Sequence, residues 1–339
     1  MTSSDIGIDL GTATVIIYDM QKGLLLKEPS VVAVDSRSGD IIAAGDDAYR
    51  MLGRTPDRIR AAMPLVDGVI SDFDMTKAMI SHFIRKINPN NIIKPRVVIC
   101  VPSGVTEVEA NAVVSAALSS GARKVYLIEE PVAAAIGAGI DIQKPEGNII
   151  LDIGGGTSDI AVLSLNGVVC KTSVRMAGRK LDESIVKYVR RNFGLLIGER
   201  MAERAKMACG SVCFTPEEDC EIVIKGRNLS TGLPGQMTIT RGQLCEAMSE
   251  GIQLVVNAVR RILENTPPEL AADIYRNGLT VTGGGALLHG IDRLLGDSTR
   301  LEVHIAENPT ECVAKGTAAA FMVVDKLADG FMKSATYLH

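Results

Sequence analysis

Two stretches of this 339-residue chain combine a carboxylate with glycines and hydroxyls in a way that could do chemistry. One runs Ile149-Ile150-Leu151-Asp152-Ile153-Gly154-Gly155-Gly156-Thr157-Ser158-Asp159-Ile160-Ala161-Val162. The other runs Ile6-Gly7-Ile8-Asp9-Leu10-Gly11-Thr12-Ala13-Thr14-Val15-Ile16-Ile17. Each reads as two β-strands joined by a tight glycine turn. Glycines let the backbone approach a ligand closely, so the N–H groups of Gly11, Thr12 and Ala13, and of Gly154 to Thr157, can point at phosphate oxygens. Asp9 and Asp152, at strand ends, are placed to hold a magnesium ion through water. An ordinary hairpin whose acid caps the turn would carry the same residues. A third glycine turn, Thr282-Gly283-Gly284-Gly285-Ala286, lacks the acid. Two acidic hairpins and one plain turn suggest a duplicated domain closed around a nucleotide. The hairpins would grip the phosphates, and Gly283 to Ala286 would abut base and sugar.

The elements between these turns read as α/β. Residues 32–66 look like a small insertion after the first hairpin. Met79, Ile80, Phe83, Ile84 and Ile87 recur on one face of a helix from Met75 to Ile87. Thr106-Glu107-Val108-Glu109 has the capping-box pattern, and Thr240-Arg241-Gly242-Gln243 caps a long helix to about Glu264. Thr266-Pro267-Pro268-Glu269 is expected to cap another. Glu129-Glu130-Pro131 starts a helix, with proline at a first helical position and carboxylates at the positive end of the dipole. A final helix is expected from Thr310 to Ala328, with a frayed tail after Gly330.

Composition excludes several classes. The net charge is −4, which gives no electrostatic footprint for nucleic acid. Hydrophobic residues reach 46%, yet no apolar run approaches the ~20 residues that span a bilayer. Met1-Thr2-Ser3-Ser4-Asp5 shows no signal sequence, so a cytosolic protein with some sticky surface is expected. Of the seven cysteines, Cys209, Cys213 and Cys220 cluster loosely with no histidine near them, and read as reduced thiols rather than a zinc site. The Gly-x4-Gly-Lys-Ser/Thr and Gly-x-Gly-x2-Gly patterns are both absent, which argues against a Walker NTPase and a dinucleotide dehydrogenase.

The three glycine segments resemble the phosphate 1, phosphate 2 and adenosine motifs of the actin/Hsp70/sugar-kinase superfamily. Asp9-Leu10-Gly11-Thr12-Ala13, Glu28-Pro29-Ser30-Val31-Val32, Pro95 to Pro102, Glu129-Glu130-Pro131, Ala134 to Gly139 and Thr282 to Leu288 narrow the resemblance to the MreB family of bacterial actins. It covers almost the whole chain, with the motifs in the family's order. It implies an actin-like ATPase fold of two duplicated RNase H-like domains around a nucleotide cleft. The first would be residues 1–145 plus about 311–332, with a small subdomain at 32–66. The second would be 146–310, with a small subdomain at 181–236. ATP and Mg²⁺ are the implied cofactors, and slow ATP hydrolysis the activity. The resemblance assigns Glu130 to orienting the attacking water, with help from Thr157 and from Asp152 beside the cation.

Glu203 and Lys206, three apart, share a helical face and would ordinarily be a solvated ion pair. Hsp70-like proteins place such a pair on ribose and adenine, which implies adenosine contacts here. Met207 and Gly210 lack the polar groups those relatives show. Ile92 and Ile93 sit in a loop with Arg85, Lys86, Lys94 and Arg96 around them. The pair could fold into the core or dip into a membrane with the cations at anionic headgroups. The resemblance points to the membrane.

By resemblance the chain polymerises into filaments on the inner face of the cell membrane. There it maintains cell shape with membrane-bound shape-determining proteins and the wall-synthesis machinery. The alternatives are a monomeric Hsp70-like or reactivating ATPase, and a small-molecule kinase of the same fold.

Overall fold

The structure, a computed structural model, describes residues 5–89, 94–322 and 331–336. Ile92 and Ile93 lie outside the described residues.

The first half opens with β1 (Asp5–Leu10), β2 (Thr14–Asp19) and β3 (Gly23–Pro29). A small lobe follows, of β4 (Val32–Asp35), β5 (Ile41–Ala44), α1 (Asp46–Met51) and β6 (Ile59–Ala62). Then come the hairpin β7 (Leu65–Val66) and β8 (Val69–Ile70), α2 (Phe73–Ile87), β9 (Arg96–Val101), α3 (Glu107–Ser119), β10 (Lys124–Glu129) and α4 (Glu130–Gly137). The second half opens with β11 (Asn148–Ile153), β12 (Ser158–Ser164), β13 (Gly167–Val174) and α5 (Gly178–Phe193). Next are β14 (Leu195–Leu196), α6 (Glu199–Cys209), β15 (Glu221–Asn228), β16 (Pro234–Thr240) and the long α7 (Arg241–Glu264). It closes with α8 (Pro268–Asn277), β17 (Leu279–Thr282), α9 (Ile291–Thr299), β18 (Val303–Ile305), α10 (Cys312–Ala319) and β19 (Phe331–Thr336).

The two large sheets repeat one topology. In the first, β3, β2 and β1 pair antiparallel, and β1, β9 and β10 pair parallel. In the second, β13, β12 and β11 pair antiparallel, and β11, β17 and β18 pair parallel. Strands covered on both faces read as continuous apolar runs, which is why Ile149 to Leu151 and Val97 to Ile99 show no alternation. Each half has its own core. Ile6, Ile8, Met79, Phe83 and Val97 belong to one, and Ile153, Ile185, Val189, Val256 and Leu295 to the other.

Between the sheets α4 crosses α10. Helix α4 also packs on β11 and β12 of the second sheet, and α10 on β1 and β2 of the first. The crossing is backbone on backbone. A Cβ on Gly137 would run into the carbonyl of Cys312, and one on Gly316 into the carbonyl of Ala133. Glycine is required at both positions because the helix axes leave no room for a side chain.

Three expectations need correction. Residues 331–336 are not frayed. The backbone of β19 pairs antiparallel with β10, whose free edge is a ready template for another strand. The last helix is shorter than expected, with α10 ending at Ala319 and a 3₁₀ turn following to Met322. Residues 323–330 lie outside the described residues. Thr266 does not cap α8; its hydroxyl donates to the carbonyl of Ile262 at 2.7 Å and so finishes α7 instead.

Candidate functional site

The first glycine turn is built by local bonds. The amide of Ser30 donates to the Ala13 carbonyl at 2.9 Å, and its hydroxyl to the Gly11 carbonyl at 2.5 Å. Thr12 Oγ1 accepts from the amide of Gly68 at 2.9 Å, which draws the β7–β8 turn over this loop. The second turn closes through the Gly154 amide on the Thr157 carbonyl at 2.9 Å. The start of α5 supports it, as the amides of Gly178 and Arg179 donate to the carbonyls of Gly154 and Gly155 at 3.1 and 2.9 Å. The two turns touch: a Cβ on Gly155 would stand 2.6 Å from that of Ala13. In the third turn, Gly283 and Gly285 press on Ile153 with no room for a Cβ, whereas Gly284 faces open space.

All three turns line one cavity of about 510 Å³, together with Asp9, Glu130, Asp152, Asp182, Glu203 and Lys206, but Ala286 of the third turn is buried and does not line it. That volume suits a ligand of nucleotide size.

Three carboxylates, Asp9, Glu130 and Asp152, line the floor of the cavity, and a fourth, Asp159, is buried next to Glu130. Asp9 accepts from the thiol of Cys100 at 3.3 Å, and Asp152 Oδ1 from Thr282 Oγ1 at 2.7 Å. Burial pushes Asp9 up to about 6 and Asp152 up to about 7. Glu130 is raised well above the usual range, first by burial and then by the charges of Asp159, Asp152 and Asp9. Its Oε2 accepts from Thr157 Oγ1 at 3.4 Å. Asp159 is raised by burial against an opposing hydrogen bond from the amide of Ser103 at 2.9 Å. Among the described residues no lysine, arginine or histidine makes an ion pair with any of the four. Among the described residues no group of three or more acidic, histidine or cysteine side chains is arranged to hold a metal by itself, so any cation here would also need oxygens from a ligand or water.

At another wall of the cavity, Glu203 and Lys206 do not pair with each other. Lys206 forms an ion pair with Asp182 at 2.9 Å and donates to the Gly178 carbonyl at 2.6 Å. Burial lifts Asp182 to about 6 in spite of that lysine. Glu203 accepts from the hydroxyl of Tyr49, in the small lobe of the first half, at 2.5 Å. The cysteine reading also changes. Cys209 and Cys220 are joined as a disulfide, Cα atoms 5.7 Å apart, tying the end of α6 to the start of β15. Their spacing in the chain gave no hint that a helix end and a strand start are neighbours.

Asp159, Asp182 and Tyr49 were not singled out from the sequence. Asp159 carried a usable signal. It stands seven residues after Asp152, on a strand that is buried along its whole length. A carboxylate there needs a partner.

Two halves of the same strand order, with acidic glycine turns meeting across one cleft, define an actin-like ATPase fold. Comparison with known proteins agrees. The family model described as MreB/Mbl protein matches residues 3–329. The cell shape-determining protein Mbl of Bacillus subtilis is 49% identical over 328 residues, covering 96% of this chain and 98% of that one. The cell shape-determining protein MreB of Escherichia coli K12 is 48% identical, covering 96% and 95%. The crystal structure of MreB5 of Spiroplasma citri bound to ADP superposes with a TM-score of 0.90 at 38% identity, covering 96% and 98%. The chain belongs to the MreB/Mbl family of actin-like proteins.

Proposed function

We propose that the chain is an ATP-dependent actin-like cytoskeletal protein. In this reading it polymerises into membrane-associated filaments, hydrolyses ATP slowly and maintains cell shape by organising wall synthesis. The observation that carries it is the meeting of the Gly11–Ala13 and Gly154–Thr157 turns above a floor lined by Asp9, Glu130 and Asp152. Spiroplasma citri MreB5 has been crystallised with ADP and with AMPPNP, which supports a nucleotide in the corresponding cleft here.

The roles proposed for the residues are these. The backbone amides of the two turns bind phosphate oxygens. Asp9 and Asp152 hold magnesium through water, and magnesium offsets phosphate charge when bound. Glu130, with the Thr157 hydroxyl beside it, orients the attacking water. Gly283 to Gly285 flank base and sugar, and Glu203 and Lys206 face the adenosine. Residues 1–145 with about 311–332, and 146–310, are the two domains that close on the nucleotide. Their small subdomains are about 32–66 and 181–236. Closed subunits join head to tail, a heterologous contact that yields open filaments.

Among the described residues no helix is long and apolar enough to cross a membrane. Attachment to the inner face of the membrane would therefore be peripheral, through Ile92 and Ile93, and cooperative along a filament. Shape-determining membrane proteins and wall synthases are the expected partners.

Sedimentation with ATP, with ADP and without nucleotide tests this. Pelleting that requires ATP and rises steeply above a threshold concentration supports the filament. A chain that hydrolyses ATP yet stays monomeric at every concentration favours the Hsp70-like or kinase alternative.

A further inference from the structure

The hydrogen bond from Tyr49 to Glu203 joins residues 154 apart in sequence and ties two small lobes across the mouth of the cavity. Tyr49 stands on α1, where its ring packs against the cluster of Val31, Ala33 and Ala48. Glu203 stands on α6, one turn after Arg200. The Arg200 guanidinium lies over the Tyr49 ring, 4.5 Å from its centroid. Stacking from one side and a hydrogen bond at the tip fix the phenol in place. Burial, then Glu203, pushes the phenol up to about 12, so it stays protonated and donates at any physiological pH. The bond occupies Oε2 of Glu203. Among the described residues Oε1 receives no hydrogen bond, and Glu203 lines the cavity beside Lys206 and Met207.

We propose that Tyr49 is a positioning residue for the sugar of the nucleotide: it holds Glu203 so that the free oxygen accepts from a ribose hydroxyl. This rests on the nucleotide reading above and goes beyond it. It gives the first small lobe a contact with the ligand through one carboxylate. A sugar in place and a latched mouth then reinforce each other, because both orient the same group. A ligand with a ribose diol is held by the latch, and one lacking the hydroxyls is not.

The test is the release of radiolabelled ATP, chased with excess unlabelled ATP, from the full chain and from Tyr49→Phe. The substitution keeps the ring and its stacking and removes only the donor. Release from Tyr49→Phe is expected to be about tenfold faster, the effect of losing one hydrogen bond to a charged group. Labelled 2′,3′-dideoxy-ATP should leave both proteins at the same rate. Glu203→Gln should show the same loss of discrimination. Thermal melting without nucleotide confirms that each variant is folded. Unchanged ATP release from Tyr49→Phe overturns the proposal. Equal acceleration for ATP and dideoxy-ATP also overturns it, since the latch would then act without the sugar. A wild-type chain that binds no ATP overturns the nucleotide reading and this inference with it.

Discussion

Thr157 Oγ1 donates to Glu130 Oε2 across 3.4 Å, and both side chains are buried. One belongs to the turn between β11 and β12, the other to the first residue of α4. The contact therefore forms only while the two halves are held together. Glu130→Gln keeps the shape and replaces the carboxyl group with an amide. ATP turnover should fall by ~10²–10⁴ while ATP binding stays within a few-fold of wild type. Phosphate release and equilibrium binding, measured on the same preparation, separate the two.

In the proposed reading, proton and magnesium compete for Asp9 and Asp152. Asp9 is raised to about 6 and Asp152 to about 7 from a usual 3.8. A raised carboxylate favours the folded state most below its ordinary value, and that contribution is lost as pH climbs through the folded value. Without a cation the fold should therefore lose stability from these two groups between about pH 4 and 7. Magnesium needs both groups ionised, so Mg·ATP affinity should rise from pH 5.5 to 7.5 and flatten above. Calorimetric titration in two buffers of different ionisation enthalpy should reveal protons released on binding at pH 6 and few at pH 8.

Gly155→Ala places a methyl 2.6 Å from the Cβ of Ala13 and 3.0 Å from its amide nitrogen, where the two turns meet. The turns must part, and their amides then leave the phosphates. ATP affinity should drop at least tenfold with little change in the melting of the nucleotide-free chain. Isothermal titration alongside a thermal melt checks it.

Gly316→Ala acts on stability instead. The added methyl meets the Ala133 carbonyl at the α4–α10 crossing, and overpacking of this kind costs about 1–3 kcal/mol. A lower urea midpoint with an unchanged slope is the expected result.

Ile92→Ser with Ile93→Ser should leave ATP-dependent pelleting intact and abolish recruitment to anionic liposomes, because the apolar tip is lost while the flanking cations remain. Flotation of the double variant beside wild type is the measurement.

Much of the fold was legible because strands covered on both faces must be apolar throughout, and because glycine turns punctuate them. Asp9, Asp152 and the three turns could be placed together on that basis. The capping boxes at Thr106 and Thr240 were readable because the pattern is local, and the structure forms both. What escaped was long-range. Lys206 chooses Asp182 over Glu203, and Glu203 chooses Tyr49, because helix α6 faces α5 on one side and α1 on the other. The strand Phe331–Thr336 escaped because a tail's order depends on the sheet edge it meets. Its own composition does not reveal it.

At the crossing of α4 and α10 the backbones meet directly at Gly137 and Gly316, while Val132 and Ala135 of one helix share a core with Val313 of the other. Glu130 is the first residue of one helix, and the Gly283 amide donates to the carbonyl of Pro309, three residues before the other begins. The contact that sets Glu130 against Thr157 thus depends on the same crossing that fixes the two halves against each other.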